Sequence, residues 1–309
     1  MIKKQLKDPL FKFAIACMAW MVLVLALLLL AVLLYYAWPS MQRFGLGFLW
    51  DHHWDAVTEE FGILPVIYGT VISALLAIFI AVPLSLGIAI FLAELGPIWI
   101  RTPLNILIEL LAAIPSVIYG LWGIFVLVPL LRIHVEPFLA KYLGFLPLFQ
   151  GPAYGIGMLA AGIILSIMIV PTISSISREV FSTVPTPLKE AALALGATRW
   201  EMVNLSIFPV SRSGVLGAVI LGLGRAVGET MAVTMVIGNM HQISASLFAP
   251  GYTMAALLAN EFSEATTPMY TSALVEVGLI LLIVTLLLNI AARVLVWSVI
   301  RNQPKGLIV

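Results

Sequence analysis

The chain has 309 residues, of which 62% are hydrophobic and 10% are charged. An ordinary soluble domain is about 45–50% apolar and about 25% charged. The 16 Lys and Arg with the 15 Asp and Glu make 31 charges, which are too few to coat a soluble protein of this size. The high apolar content also excludes a disordered chain. A net charge of +1 and a single cysteine, Cys17, give no basic field for nucleic acid and no internal disulfide. The remaining class is a protein that crosses the lipid bilayer several times.

Long stretches without Asp, Glu, Lys or Arg locate the membrane spans. They cover Phe13 to Pro39, Phe61 to Ala93, Leu110 to Leu131, Tyr142 to Ser177, Thr230 to Asn260 and Val277 to Ala292. Each is long enough, or nearly so, to cross roughly 30 Å of hydrocarbon as a helix. The runs are too long for the strands of a membrane barrel, which alternate polar and apolar residues. The sequence therefore predicts an all-α membrane protein with six transmembrane helices, at about 13–38, 65–94, 104–132, 153–177, 212–239 and 271–300.

The first predicted helix follows four lysines, Lys3, Lys4, Lys7 and Lys12. A basic start before an apolar run is also the pattern of a secretory signal. This run is about twice the length of a signal core, and Trp38-Pro39 follows it where a cleavage site would need small residues. We predict a retained membrane anchor.

The distribution of Lys and Arg predicts the orientation, because cytoplasmic loops carry an excess of them. With the amino terminus inside, predicted cytoplasmic segments hold 12 of the 16 and outer segments hold three, Arg43, Arg132 and Lys141. Both termini are therefore predicted to be cytoplasmic. The predicted division is an amino terminus and first helix (1–40), an outer loop (41–64), a five-helix core (65–300) with one large cytoplasmic loop (178–212), and a cytoplasmic tail (301–309).

The large cytoplasmic loop contains a predicted surface helix. Pro185 and Pro187 break the preceding helix, Thr186 can cap a new one, and Glu190 lies in its first turn, where a negative charge is favourable. Gly196 is placed to end it. One small apolar face is formed by Leu188, Ala191, Ala192 and Leu195. Such a face invites close approach by another protein or lies on the bilayer, and the pattern alone leaves both open.

A few ionisable residues lie inside or at the edges of the predicted spans: Glu94, Glu109, Arg225, Glu229 and Glu276. An intramembrane charge is costly unless it is paired or hydrated. Arg225 is the only Lys or Arg inside a predicted span, and Glu229 at i+4 is predicted to share its helix face and pair with it. Gly224 and Gly228 predict a tight helix contact beside the pair. The pair either fixes helix register or lines a path for an anion, since guanidinium suits phosphate.

The remaining intramembrane features have simpler interpretations. Glu109 and Glu276 are predicted to form hydrogen bonds across the helix bundle. Pro115 is predicted to kink the third span or to free a backbone carbonyl. In the first outer loop, Asp51-His52-His53-Trp54-Asp55 has metal-ligand residue types, but adjacent histidines point apart and no spaced partners follow. We predict a solvated loop, no metal site and no cofactor bound by this chain.

The sequence contains no G-x-x-x-x-G-K-[ST] motif, so a phosphate-binding loop for ATP is not predicted. No nucleophile elbow or zinc-protease motif occurs either. The chain is therefore predicted not to be an enzyme, and its energy has to come from a partner or from an ion gradient.

The large cytoplasmic loop resembles the EAA loop of binding-protein-dependent ABC importer permeases, E-A-A-x3-G-x9-I-x-L-P. Glu190, Ala191, Ala192, Gly196 and Pro209 are in register, whereas Ser206 and Phe208 replace the Ile and the Leu. In that family the loop forms a coupling helix that lies in a groove of the ATP-hydrolysing subunit. The resemblance implies that role for Glu190, Ala191, Ala192 and Gly196.

Longer stretches resemble the PstC family, one of the two kinds of membrane subunit in bacterial phosphate importers. They are FGLGFLW (44–50), IELLAAIPSVIYGLWGIF (108–125), GPAYGIGMLAAGIILSIMIVP (151–171), LGLGRAVGETMAVTMVIGN (221–239) and LLANEFSEA (257–265). The resemblance implies a type I ABC importer permease fold in the bacterial inner membrane. It implies four kinds of partner: a second, homologous permease, an ATPase dimer that binds ATP and Mg²⁺, a periplasmic phosphate-binding protein and inorganic phosphate. It also implies that Arg225 and Glu229 act in phosphate passage.

Two alternative functions remain at this stage. One is a permease of the same kind for another oxyanion, because an arginine does not choose among oxyanions. The other is a stand-alone transporter or channel driven by protons through Glu109, Glu229 or Glu276, which would need an inverted repeat of broken helices that the sequence does not show.

Overall fold

A computed structural model describes the backbone of residues 7–301 and the side chains of residues 11–294. Lys3, Lys4 and the predicted tail beyond Arg301 lie outside the described residues. The helices are α1 (Lys7–Phe44), α2 (Gly47–Trp50), α3 (Leu64–Ile90), α4 (Ile98–Ala113), α5 (Ser116–Trp122), α6 (Val128–Leu130), α7 (Glu136–Leu143), α8 (Met158–Ser182), α9 (Thr186–Ala194), α10 (Arg199–Met202), α11 (Phe208–Gly228), α12 (Met231–Val236), α13 (Met254–Glu261) and α14 (Pro268–Arg301). A small antiparallel hairpin pairs β1 (Trp54–Asp55) with β2 (Glu60–Phe61).

Several α-helices continue through wider π-helical turns and form longer rods. These turns are Phe91–Leu95 after α3, Gly123–Leu127 and Leu131–Val135 on either side of α6, and Val203–Ile207 between α10 and α11. Six rods in the described part of the chain are long and apolar enough to cross a membrane, which confirms the predicted number. They are Phe11–Phe44, Leu64–Leu95, Ser116–Leu143, Met158–Ser182, Arg199–Gly228 and Pro268–Val294.

The predicted third span at 104–132 is wrong in its position. The chain forms a separate 16-residue helix, α4, that ends at Ala113, and the spanning rod begins only at Ser116. The reason is Pro115, because a residue before proline is pushed out of the helical region. Ile114 accordingly has φ −66° and ψ 128°. The proline thus separates two helices where the sequence predicted a kink.

The predicted fifth span at 212–239 is also wrong at both ends. The rod begins at Arg199, through the π turn, and α11 ends at Gly228. Glu229 is extended, with φ −71° and ψ 126°, and the short helix α12 follows. The fourth predicted span, 153–177, is shifted to Met158–Ser182. Fold class is unaffected, but the break after Gly228 changes the geometry around Arg225.

Helix α8 forms the centre of the molecule, with 72% of its most apolar window buried. It packs mainly against α3 and α11. Helix α11 approaches α8 closely at Gly214 and Gly222, where a Cβ atom would lie 2.5 Å from Cγ1 of Val180 and 2.7 Å from Cδ1 of Ile173. Gly224 and Gly228, the positions predicted for a tight contact, have only open space or a distant neighbour. Within the described part of this chain the predicted contact is not made at Gly224 or Gly228, and the close approaches lie at Gly214 and Gly222 instead.

Helix α1 is held to α14 by a polar contact at Pro39. The backbone N–H of Ser40 donates to Ser272 Oγ at 3.1 Å, and Ser272 Oγ donates to the Tyr36 carbonyl at 2.7 Å. The hydroxyl is thus inserted into the helical ladder of α1, a recognised cause of helix bending. Glu276, one turn further along α14, is buried and faces Ser40. This agrees with its predicted role in helix packing.

Candidate functional site: an intramembrane arginine and an exposed surface helix

Arg225 lies about halfway along the length of the central helix α8, beside Thr172. Its Nη1 donates to Thr172 Oγ1 at 3.3 Å. Thr172 lies 14 residues after Met158, the first residue of α8, and 10 residues before Ser182, the last. At a rise of about 1.5 Å per residue, these separations place it about 21 Å from one end of the helix and about 15 Å from the other. Arg225 itself is exposed, on a face of α11 that it shares with the exposed Leu221. A permanent cation therefore lies at mid-helix depth on a surface that this chain leaves uncovered.

Two further polar features lie on α5 and on α4, of which the first is near Arg225. Tyr119 of α5 is buried and close enough to interact electrostatically with Arg225, and its hydroxyl donates to the Leu111 carbonyl at 2.8 Å. On α4, Asn105 Nδ2 donates to Glu109 Oε1 at 2.7 Å, and Glu109 is exposed. The predicted bond of Glu109 across the bundle is wrong, because its partner lies one turn back on the same helix.

Arg225 and Glu229 do not pair. Among the described residues, ion pairs join only Arg43 to Glu59 and Lys189 to Glu94. Because α11 ends at Gly228, Glu229 leaves the helix face that carries Arg225. Its Oε1 instead accepts a weak 3.4 Å bond from the N–H of Ala232 in α12. The predicted i,i+4 pair is wrong, and the guanidinium keeps donors free for another group.

The loop predicted to be cytoplasmic forms the predicted surface helix, α9, and leaves it largely uncovered. None of its residues is fully buried, and Glu190 and Ala191 are exposed. Only Ala192 packs against an inner cluster that includes Phe181, Met202 and Ile207. Exposed leucines flank the helix, with Leu195 the most accessible at 90%. Ala191 and these leucines together make an apolar surface suited to another protein.

The end of α9 is built as the sequence predicts, but its start is not. Gly196 has φ +88°, its N–H bonds to the Leu193 carbonyl, and the next N–H bonds to the Ala192 carbonyl. This is the bond pattern of a Schellman cap, which glycine favours. At the start, Thr186 is the first residue of the helix and caps nothing, because Pro185 occupies the capping position.

The two departures from the EAA motif have structural explanations. Ser206 Oγ donates to the carbonyl of Leu188 at 3.2 Å, which ties the start of α9 to the following π turn. Phe208 packs edge-on against Phe181 with ring centroids 5.8 Å apart. From the positions where the motif has Ile and Leu, Ser206 therefore fixes α9 to the bundle and Phe208 fixes the start of α11 to the end of α8.

A cluster of aromatic and acidic side chains joins the loops at the opposite end of the bundle. Trp54 stacks on His241 at 5.5 Å, and its Nε1 donates to Glu261 Oε2 at 2.5 Å. The Tyr270 hydroxyl donates to the same oxygen at 2.7 Å. Burial raises the pKa of Glu261 above its usual value and lowers the pKa of His241 to about 4. Trp54, predicted to lie in a solvated loop, is thus a packing centre.

Sequence reasoning missed the pairing of several of these residues. Lys189 and Glu94 lie 95 positions apart, and Trp54 and His241 lie 187 apart. No periodic or local pattern links such positions, because the contacts arise only when separate helices meet. Thr172 carried one usable signal, a hydroxyl directly after the intrahelical Pro171. Within the described side chains, no three His, Cys, Asp or Glu residues come together in a group that could hold a metal ion.

Residues 81–301 match the family model described as the binding-protein-dependent transport system inner membrane component. The chain belongs to this family. This permease is therefore an inner membrane component with several spans and is not itself an ATPase. The expected class of protein, a permease of an ABC importer, is confirmed.

Named relatives of this permease are phosphate permeases. It is 48% identical over 303 residues to the phosphate transport system permease protein PstC of Haemophilus influenzae, covering 97% of this chain and 95% of the relative. It is 52% identical over 261 residues to the protein of the same name in Mesorhizobium japonicum, with coverages of 83% and 80%. A probable phosphate permease of Methanocaldococcus jannaschii is 39% identical over 296 residues, with 94% of each chain covered.

Solved structures support the fold. A chain of the MetNI methionine ABC transporter in an inward-facing conformation gives a TM-score of 0.54 at 19% identity, covering 77% of this chain and 97% of that chain. A bacterial ABC transporter that imports the acidic polysaccharide alginate gives 0.53 at 15% identity, with coverages of 89% and 95%. At these identities the likeness concerns the fold alone.

Proposed function

We propose that this chain is the membrane permease of an ATP-driven phosphate importer and forms half of the translocation pathway. The observation that carries the proposal is the 48% identity to a named phosphate permease across 97% of the chain. The exposed cation at mid-bundle depth and the uncovered cytoplasmic helix α9 agree with it. The fold is proposed to be that of a type I importer permease.

The proposed partners complement two features of this chain: its sequence contains no ATP-binding motif, and it leaves the Arg225 face and helix α9 uncovered. A homologous permease supplies the other half of the pathway, an ATPase dimer supplies the ATP and Mg²⁺ chemistry, and a periplasmic phosphate-binding protein delivers the anion. Both termini and the loop 178–212 lie on the cytoplasmic side, supported by the 12 to 3 distribution of Lys and Arg. The hairpin and the Trp54 cluster then lie on the periplasmic side.

The exposed position of Arg225 supports a pathway at an interface between permeases. An arginine facing lipid at the bilayer centre costs several kcal/mol, so such residues face a bundle interior or a hydrated cavity. Arg225 points away from the packed core of its own chain, since its neighbours Ala226 and Val227 are buried while it is exposed. A second permease therefore covers this face, and the hydrated space between the two chains holds the anion.

Within that space Arg225 and Thr172 act as donors to phosphate. The guanidinium offers a permanent charge and a planar fork of N–H groups that matches phosphate oxygens. The Thr172 hydroxyl, 3.3 Å from Nη1, adds a neutral donor beside it. Glu229 lies at the adjacent helix break and repels an anion, which favours release of phosphate over tight retention.

Helix α9 is the part that the ATPase moves. Glu190 and Ala191 form its exposed docking face, Ala192 anchors the helix to the inner cluster, and Gly196 ends the helix so that the chain can turn back to the bundle. Closure of the ATPase dimer around ATP displaces α9 and opens the permeases outward. Hydrolysis then returns them to the inward-facing state.

Uptake of radiolabelled phosphate into proteoliposomes tests the proposed function. The liposomes hold this permease with a homologous permease and the ATPase, and the binding protein is added outside. We expect ATP-dependent uptake that excess sulfate or molybdate does not inhibit. Uptake of sulfate or molybdate in place of phosphate would establish the alternative oxyanion importer. Phosphate transport by this chain alone would establish a secondary transporter.

The role of Arg225 is tested in the same system with Arg225→Gln and Arg225→Lys. We expect the Gln variant to reduce the uptake rate at least about tenfold, corresponding to about 1.4 kcal/mol, and the Lys variant to retain part of it. The matched control is Arg132→Gln, because Arg132 is an exposed arginine in a different span. Full uptake by Arg225→Gln would remove Arg225 from the pathway.

A further inference from the structure

The described residues form two ion pairs, and the pair between Lys189 and Glu94 is the less exposed of them. Lys189 Nζ lies 2.5 Å from Glu94 Oε1, and the two side chains are 16% and 14% exposed. The pair between Arg43 and Glu59 is 2.8 Å long, with exposures of 43% and 31%. Exposed ion pairs contribute little, whereas breaking an enclosed one leaves an uncompensated charge. The Lys189–Glu94 contact therefore resists separation.

This ion pair links the surface helix to the end of the second spanning rod. Lys189 lies in α9, directly before Glu190, while Glu94 lies in the π turn Phe91–Leu95 that continues α3. Among the hydrogen bonds and ion pairs of the described residues, this contact alone joins α9 to α3 or α4. The other polar contact of α9 runs to the segment that follows it, from Ser206 Oγ to the Leu188 carbonyl.

Arg101 extends the link to α4. Its Nη2 donates to the Glu94 carbonyl at 2.9 Å and its Nε donates to the Gly96 carbonyl at 2.6 Å. Arg101 thus fastens the turn between the second rod and α4 from the α4 side. Because these bonds tie the turn after α3 to α4, a displacement of Glu94 moves α3 and α4 together.

Helix α4 leads from this turn towards Arg225. It ends at the Pro115 break, and the Tyr119 hydroxyl beyond the break bonds to the Leu111 carbonyl near its end. Tyr119 is the residue that interacts electrostatically with Arg225. A continuous set of contacts therefore runs from α9 through Glu94, Arg101 and α4 to the region around the intramembrane cation.

We propose that Lys189 and Glu94 are positioning residues that transmit movement of α9 to α3 and α4, so that ATP hydrolysis is coupled to opening of the pathway. The proposal rests on the proposed function, in which α9 receives that movement from the ATPase. The remaining polar contact of α9 passes to its own following segment, and Ala192 adds apolar packing against the inner cluster, so the ion pair is the direct polar route to the rods that precede α9.

The test is the number of phosphate ions transported per ATP hydrolysed by the complete reconstituted importer. We expect Lys189→Met and Glu94→Gln each to lower this ratio at least about fivefold while the ATPase subunits still co-purify, within the range typical of coupling between sites. The reversed double variant, Lys189→Glu with Glu94→Lys, is expected to restore the ratio to within about twofold, because only the pair's polarity changes. Arg43→Met, which breaks the exposed ion pair, is the matched control and should leave the ratio unchanged.

The outcomes separate this proposal from the proposed function. A wild-type complex that transports no phosphate would defeat the proposed function, whatever the variants do. If the wild-type complex transports and the single variants keep its ratio, the positioning role is wrong. A reversed double variant as impaired as the single variants, or loss of the ATPase subunits from Lys189→Met, would also overturn it, because the residues would then act in local folding or docking.

Discussion

We predict that His241 makes the aromatic and acidic cluster around Trp54 sensitive to acid. Its ring stacks on Trp54 at 5.5 Å with an interplanar angle of 11°, and meets Tyr252 edge-on at 5.2 Å. Its Nε2 is buried without a hydrogen-bond partner. Burial lowers the pKa of His241 from 6.5 to about 4, because the apolar rings disfavour the charged form. His241 is therefore neutral in the folded protein over most of the acidic range.

The sign of the pH effect follows from proton uptake. As the pH falls below 6.5, the unfolded chain protonates this histidine and the folded chain does not, so the free energy of unfolding decreases until the pH reaches about 4. The two pKa values give a loss of about 2 kcal/mol at pH 5. Since the folded ring stays mostly neutral at pH 5, a cation–π contact with Trp54 adds little there, and most of this destabilisation remains.

The other titratable groups around His241 are Tyr252, Glu261, Tyr270 and the nearby Glu264. Burial raises the pKa of Glu261, so protonation of that carboxyl as the pH falls stabilises the fold and opposes the His241 effect. Burial also raises the pKa of Tyr252 to about 12, far above the range of the experiment. A difference between the wild type and a His241 variant removes these contributions, since both proteins contain them.

The variant is His241→Phe, which keeps an aromatic ring against Trp54 without a titrating group. Thermal unfolding of the purified permease in detergent is measured at pH 7.5 and pH 5.0. Each kcal/mol of destabilisation lowers the unfolding temperature by about 2–4 °C. On acidification we therefore expect the unfolding temperature of the wild type to fall further than that of the variant by this amount per kcal/mol. His52→Phe is the control, because His52 is exposed in the outer loop. Equal pH dependence of wild type and His241→Phe would refute the reasoning.

Two further predictions concern packing and a buried hydrogen bond. Gly222→Val should destabilise the isolated permease by about 1–3 kcal/mol, because the new side chain overpacks against Ile173. The control, Gly228→Ala, has open space around it and should change the unfolding temperature little. Equal effects of the two substitutions would contradict the contact at Gly222. Glu136→Ala should cost about 1–3 kcal/mol, because the buried Glu136 accepts the N–H of Gly155 at 2.9 Å. Glu136→Gln keeps an acceptor and should cost less in the same denaturation assay, and the opposite order would refute that bond.

The class of protein and the number of spans could be predicted from the sequence. Apolar runs long enough to cross the bilayer are a property of composition and length, and the six rods confirm them. The end of α9 was also predictable, since the left-handed conformation at Gly196 is a local preference of glycine. The limits of the spans were less predictable, because a charge-free run does not mark where a helix starts.

The Arg225 site shows what the tertiary structure alone decided. The sequence identified the cation and placed Glu229 on the same helix face, because a continuous helix puts i and i+4 together. Only the fold ends α11 at Gly228 and brings Thr172 from another helix to 3.3 Å from the guanidinium. The ion pair of Lys189 with Glu94, from positions 95 residues apart, depends on the fold in the same way. Composition and local preference act along the chain, whereas partners in space depend on how separate helices pack.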